Sequence, residues 1–516
     1  GLPRFLGGFL DLVFDRATGV LLDTPSEDAI FAIRQLTLLF SKVELPCSEE
    51  REASAYRGYI ECEKQLKQKE REWNSDDYAT FSRVSMLLFR EMFTQVDSDI
   101  YYGNITPKHG PGATADRRSV NGRLNVGTWT DRLEKIFSMT DFTIPNARYF
   151  PLLDSVELLE PGSEVPVRVI SVPKTLKTPR IIAIEPAHNM YVQQGILECF
   201  LKYWKRDYLL SQLIGFDDQE PNQFLAKEGS LFEDLATLDL SEASDRVSNQ
   251  LVRVMLARFP HFAEAVDACR SRKADVPRHG VVRMSKFASM GSALCFPIEA
   301  CVFLTCIFIG IEKELNTQLS RKTVRSLLGK VRVFGDDIIV PKEYVSSVVE
   351  SLEHYGAKVN RDKSFWNGKF RESCGKEYYN GLDVSIVKVR RVFPTQRQHA
   401  SEVLAMSSMR NQLYQLGLWK TCAWLDDYLV RLLGRYPMVA PTSPVIGRHS
   451  VFGYESDQRQ CDQLHKPLVR GYVVSTRAPI DKLDGEYALL KFFLKRGSTP
   501  FQEGHLERAG RPDAVN

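Results

Sequence analysis

Ten cysteines, at positions 47, 62, 199, 269, 295, 301, 306, 374, 422 and 461, include no Cys-x-x-Cys pair. Their spacing gives no support to a zinc ribbon or a dithiol redox centre. Several sit inside apolar runs, the pattern of buried, reduced thiols in a cytosolic protein. Charge of one sign is also lacking. Against 68 Lys and Arg stand 65 Asp and Glu, a net of +3. That balance permits a nucleic-acid partner without arguing for one, and any basic surface must be local. The longest apolar run, Ala300 to Ile311, is too short to cross a bilayer and reads as a core helix following Pro297 and Glu299. Neither a signal-peptide pattern, an internal repeat nor a long low-complexity segment is visible. The chain opens Gly1-Leu-Pro-Arg-Phe with no initiator Met, as expected of a fragment.

What is present is an ordinary globular composition, 43% hydrophobic and 26% charged over 516 residues. That length exceeds a single hydrophobic core and predicts two to four subdomains. Residues 1 to about 100 read as mainly helical, with three- and four-residue apolar spacing in Phe31–Phe40 and Phe81–Phe93. The charge-rich Glu49–Trp73 between them reads as a solvated helix face, and no chemistry is legible there. Lys108-His-Gly-Pro-Gly-Ala-Thr-Ala115 reads as a turn. Asn189–Lys205 and Tyr344–Tyr355 read as helices, Phe370–Gly381 as turn-rich and polar, and the chain from about 396 as helical, then irregular from Pro437.

Chemistry concentrates in Val331-Arg-Val-Phe-Gly-Asp-Asp-Ile-Ile-Val340. β-Branched runs flank Gly335-Asp336-Asp337 and predict two short strands joined by a tight turn. Adjacent carboxylates at a buried tip repel one another, a conflict that a divalent cation relieves. A second strand, Ala236-Thr-Leu-Asp-Leu240, ends in Asp239, and the following Ser241-Glu-Ala-Ser-Asp-Arg246 has N-cap character. Upstream, residues 166–186 read as two strand-like runs flanking a Pro-fixed turn that carries Lys174, Lys177 and Arg180, a row of cations suited to a triphosphate. Asp239 brought beside Asp336 and Asp337 would give three carboxylates, enough to hold two Mg2+ ions about 3.5–4 Å apart. Such a site suits nucleotidyl transfer, with Mn2+ able to substitute for Mg2+.

These blocks resemble those of the RNA-directed RNA polymerase (replicase catalytic subunit) of positive-strand RNA bacteriophages, the levivirus class. The resemblance is carried by Val172-Pro-Lys with Arg180-Ile-Ile-Ala-Ile-Glu-Pro186 and Asn189-Met190, by Asp239-Leu-Ser-Glu-Ala-Ser-Asp245, and by Ser289-Met-Gly291 with Phe296 and Glu299. Gly335-Asp-Asp-Ile-Ile339 and Phe370-Arg-Glu-Ser-Cys-Gly375 with Tyr379, Gly381 and Asp383-Val384 complete it.

The family implies an α+β right-hand polymerase with an antiparallel-sheet palm, fingers and thumb. Residues 1–100 would pack on fingers and thumb, 101–235 form fingers with part of the palm, 236–395 the palm with a fingers insertion at about 250–285, and 396–516 the thumb and C-terminal region. It implies metal-ligand roles for Asp239, Asp336 and Asp337, and phosphate contacts from Lys174 and Arg180. It also implies a proton-donor role for Lys363, a helix-anchoring role for Glu299 and a loop under the templating base at Ser289-Met-Gly291. The sugar of the incoming nucleotide would be met by Ser244, Asp245 and Ser292. Two departures stand out. The acid expected five positions after Asp239 is replaced by Ser244, with Asp245 next, free either to read a ribose 2′-OH or to cap the following helix. Ser292 stands where relatives often carry Asn. Implied partners are RNA template and product, nucleoside triphosphates, host elongation factors Tu and Ts and a small-subunit ribosomal protein, in the cytoplasm of the bacterial host and with no membrane. A reverse transcriptase, or a non-catalytic RNA-binding subunit with a relict palm, are the alternatives. Small Ser244 and Phe334-Gly-Asp-Asp weigh against the first, and the three intact acids against the second.

Overall fold

The computed structural model describes all residues except 1, 111, 118–125, 175–177, 457–458, 477–483, 495–509 and 516. By its contacts the chain divides into two compact units. One comprises Ser48–Val172 and Thr178–Ser385, the other Gly1–Cys47, Pro173–Lys177 and Ile386–Asn516.

The larger unit begins with helices α1 (Glu49–Glu72) and α2 (Ser75–Tyr101). Ser48 caps the first through the Arg51 N–H, and Asn74 with Asp77 forms a reciprocal capping box on the second. Helix α1 is not the solvated element its charges predict. Tyr56, Tyr59, Cys62, Glu63 and Leu66 form a buried stripe along it. Strands β1 (Val167–Val172) and β2 (Arg180–Ile184) pair antiparallel, as expected, with Val172 opposite Arg180. Helices α3 (Ala187–Arg206) and α4 (Glu220–Phe232) lead into strand β3 (Leu235–Asp239). Next come α5 (Asn249–Leu256), α6 (Pro260–Cys269), β4 (Lys273–Val276) and β5 (Gly280–Arg283), the strands completing a sheet of order β2-β1-β4-β5.

Helix α7 (Cys295–Leu315) is longer than its apolar run foretold and contains Pro297 and Glu299 instead of following them. Proline is tolerated there because first-turn N–H groups have no intrahelical acceptor to lose. By length and composition α7 could cross a membrane, but 83% of its most apolar window lies inside the protein, so it is a core helix. Around it gather Phe81, Phe89 and Phe93 of α2 and Leu251 and Met255 of α5. Strands β6 (Arg332–Phe334) and β7 (Asp337–Pro341) form a hairpin, α8 (Val345–His354) packs on α7, and β8 (Phe370–Ser373) pairs with β9 (Lys376–Tyr379). The Phe370–Gly381 segment is therefore a hairpin. Its polarity misled because Arg371, Ser373 and Glu377 are buried with partners.

In the smaller unit, helices Ala400–Gln415 and Trp419–Leu433 pack Val403, Met406, Leu425 and Leu429 into one core with Val43 and Val387. Gln35, on the helix Glu27–Leu38, exchanges two hydrogen bonds with the Val387 backbone, and Asp426 holds the buried Arg410 in a two-pronged ion pair. Beyond Pro437 the chain is less irregular than expected, with short strands at Arg459–Gln460, Pro467–Leu468 and Gly471–Thr476.

Candidate active site

The three-stranded sheet of the larger unit, of order β3-β7-β6, organises the site. Ile338, Ile339 and Val340 are fully buried and hold β7 at its centre. The hairpin turns through Gly335 and Asp336 alone. Gly335 has φ +60°, and a Cβ there would stand 2.4 Å from the Phe296 ring, so backbone and space both demand glycine. In the register of β3 against β7, Asp239 pairs directly with Asp337. Opposed residues on antiparallel strands project to the same face, so these carboxylates share one side of the sheet with Asp336 at the adjoining tip. Asp336 is exposed, and the other two are half-buried.

Burial, then the charges of Asp336 and Asp239, push the Asp337 carboxyl up to about 7, with the Cys374 N–H pulling the other way. The oxygen-only donor set suits a hard divalent cation, and one such charge would relieve this repulsion. Among the described residues no three acid, thiol or imidazole groups already stand as an ion cage, so the side chains would have to close on the ion.

Asp239 is steadied by residues that sequence reasoning missed. Asn360 Nδ2 donates to Asp239 Oδ2 at 2.9 Å and its N–H to the Asp239 carbonyl at 2.8 Å, while the Asp239 N–H donates to Ser364 Oγ at 3.1 Å. Lys363 lies within this segment, exposed in the turn Arg361–Lys363. No spacing pattern marked Asn360, because its partner is 121 residues away.

After Asp239 the chain forms a 3-10 turn, Ala243–Arg246, entered by Glu242 at φ +54°. Ser241–Arg246 therefore does not cap α5. The helix starts later, and Ser248 supplies the capping oxygen to the Gln250 N–H. Ser244 hydrogen-bonds the buried Glu299 carboxyl, which burial pushes up to about 8. Asp245 Oδ1 accepts from the buried Lys286 Nζ at 2.9 Å. Lys286 also faces Glu63 at 3.4 Å and lies 3.5 Å from the Tyr59 ring centroid. Burial opposes its charge, but Asp245, Tyr59 and Glu63 outweigh that cost and hold its pKa above the ordinary lysine value.

The loop before α7 rests on β2, where the Ala183 N–H donates to the Met290 carbonyl at 2.8 Å. Gly291 has φ +132°, and a Cβ there would stand 2.0 Å from the Ala183 carbonyl oxygen. Ser289 Oγ meets the Tyr59 hydroxyl at 2.8 Å, and Ser292 Oγ donates to Gln193 Oε1 at 3.1 Å. Glu185, the acid of Ile-Glu-Pro, is buried behind them, hydrogen-bonded by Ser271 and Gln193.

The structure thus joins Asp245 to Ser289 through Lys286 and Tyr59, and aligns Asp239 with Asp336 and Asp337. Arg180 is exposed at the start of β2. Lys174, also exposed, groups with the smaller unit, and Lys177 lies outside the described residues. The row of three cations therefore lies only partly within the described residues.

Comparison with known proteins finds RNA-directed RNA polymerase subunits of RNA phages. The RNA-directed RNA polymerase subunit beta of Qbeta virus (strain MX1) is 37% identical over 319 residues, covering 61% of this chain and 50% of that protein. The corresponding subunit of Enterobacteria phage SP is 35% identical over 255 residues, 49% of this chain and 40% of its own. The chain thus spans about half, or less, of the length of these curated relatives. The BmCPV RNA-dependent RNA polymerase at its elongation state overlaps 64% of this chain and 31% of its own, with a TM-score of 0.38 and 11% identity. A family model described as RNA replicase, beta-chain, matches residues 163–423. That span is just over half of the sequence and holds every candidate site residue named above except Glu63 and Tyr59, and through it the chain belongs to the RNA replicase beta-chain family.

Proposed function

We propose that the chain performs template-directed RNA synthesis, copying the RNA of a positive-strand phage inside the bacterial host. The observation that carries this reading is the pairing of Asp239 with Asp337 beside Asp336 at one end of a three-stranded antiparallel sheet. That sheet is the centre of the palm, with β1, β2 and α3 to α6 as fingers and the helices after residue 400 as thumb.

Asp239, Asp336 and Asp337 would hold two Mg2+ ions, or Mn2+ in their place, and bound cations would supply Lewis-acid stabilisation of charge on the attacking 3′-hydroxyl and on the leaving pyrophosphate. Asn360 keeps the Asp239 carboxylate aimed at the shared face. Arg180, with Lys174 and Lys177, offsets charge on the nucleotide phosphates. Lys363, carried on the segment pinned to β3, donates a proton toward pyrophosphate. Ser244, Asp245, Ser289, Gly291 and Ser292 line the sugar and templating-base side, and small Ser244 leaves room for a 2′-hydroxyl. Elongation factors Tu and Ts and a small-subunit ribosomal protein act as host partners.

The test is incorporation on a defined RNA template with Mg2+ or Mn2+, with and without bacterial lysate, using ribonucleotides and deoxyribonucleotides side by side. Metal-dependent use of ribonucleotides is expected. Preference for deoxyribonucleotides would make the chain a reverse transcriptase, and salt-sensitive RNA binding without incorporation under any of these conditions would make it a binding subunit.

A further inference from the structure

Helix α1 grips the loop that follows Asp239 along one face. Cys62 Sγ approaches the Asp245 carbonyl at 3.4 Å, Gln65 Oε1 accepts from Arg246 Nη2 at 2.9 Å, and Glu70 Oε1 accepts from Ser248 Oγ at 2.5 Å. Between these contacts Tyr59 and Glu63 enclose Lys286, which is wholly inaccessible to solvent. A buried ammonium is tolerated only when its charge is matched and its protons are placed. Here Asp245, Glu63 and the Tyr59 ring supply that match. Tyr59 serves two loops at once, since its ring face carries Lys286 while its hydroxyl meets Ser289. Glu63 reaches in the same direction, accepting the Ser285 N–H at 2.7 Å. A shift of α1 therefore moves Asp245 and Ser289 together.

We propose that Tyr59 and Glu63 of α1, acting through Lys286, are positioning residues that hold Asp245 against the nucleotide sugar, in fixed relation to the Ser289 loop, and so set the preference for ribose over deoxyribose. The inference rests on the polymerase reading above, in which Asp245 faces that sugar and Ser289 belongs to the loop under the templating base. Lys286 occupies Oδ1 of Asp245, fixing how the carboxylate is turned, and the Asp245 side chain keeps 21% of its surface toward solvent.

The experiment compares single-nucleotide incorporation by the full chain and by Tyr59→Phe, with a constant amount of host lysate whose background is subtracted using the Asp336→Asn chain. Tyr59→Phe retains the ring under Lys286 and removes only the hydroxyl. It should lower the ribo-to-deoxyribonucleotide ratio of kcat/KM about three- to tenfold, chiefly by raising KM for the ribonucleotide. Glu63→Gln keeps an acceptor for Ser285 and removes a charge from Lys286, and should shift the ratio in the same direction. Melting temperatures of both variants separate this from unfolding. A ratio unchanged in both, whether the rates fall together or stay put, would reduce α1 to a structural support and overturn the inference alone. A wild-type chain that incorporates neither nucleotide would overturn the polymerase reading and this inference with it.

Discussion

Asp239 and Asn360 are joined twice, by their side chains at 2.9 Å and by the Asn360 N–H to the Asp239 carbonyl at 2.8 Å. The first bond orients a carboxylate and the second fixes the strand end that carries it. Orienting partners of metal-binding carboxylates are typically worth 10- to 100-fold in ion affinity or activity. Asn360→Ala should therefore raise the Mg2+ concentration needed for half-maximal incorporation by about that factor, with maximal rate less affected. A titration curve that overlays the wild type would remove Asn360 from the site.

Asp336 is exposed at the hairpin tip, so its charge serves little in the fold. Asp336→Asn should cost at least about 10³-fold in incorporation while leaving RNA binding and melting temperature nearly intact. Turnover near that of the wild type would exclude Asp336 from the chemistry.

Lys363 sits exposed in a short turn. If it donates a proton, Lys363→Leu should slow incorporation by about 10- to 10³-fold and alter the pH profile. An unchanged rate and profile returns it to the surface.

Gly291 makes a different kind of claim. A Cβ there would lie 2.0 Å from a main-chain oxygen, and no rotamer can relieve that overlap. Gly291→Ala should destabilise the protein by more than about 3 kcal/mol, read from denaturant unfolding. A variant of wild-type stability would mean that the loop does not rest on Ala183.

Glu185 gives a pH signature. Burial, opposed by hydrogen bonds from Ser271 and Gln193, pushes its carboxyl up to about 7. Because that lies above the unfolded value of about 4.3, its contribution to stability is complete below pH ~4 and is lost as pH climbs through about 7. Relative to Glu185→Gln, the wild type should lose at most about 3 kcal/mol between pH 4 and 8. Glu299, pushed up to about 8, acts with the same sign in both proteins and cancels from the difference. A difference that does not vary with pH would show that burial leaves the Glu185 carboxyl at its unfolded value.

The hairpin around Gly335 was legible because its evidence is local. Gly335, two acids and flanking β-branched residues all lie within ten positions, and the cation-bearing turn with its two flanking strands lies within residues 166–186. The buried polar contacts were not. Glu63 lies on a helix whose composition says solvent, and what makes it interior is a lysine 223 positions later that must be neutralised. Charge patterning assumes that water is the partner of a charge, and it fails where a distant side chain takes that place. The same reasoning explains the misreading of Phe370–Gly381.

That hairpin carries Arg371, which is fully buried. Its guanidinium donates to four main-chain carbonyls, those of Leu235 at 2.6 Å, Phe370 at 2.7 Å, Gly368 at 2.8 Å and Trp366 at 3.4 Å. Leu235 is the residue at which β3 begins, so the strand is bolted at the end remote from Asp239. Slippage of β3 by a single residue would turn Asp239 to the opposite side of the sheet, and it would first have to unseat a five-donor fork that no lysine could replace.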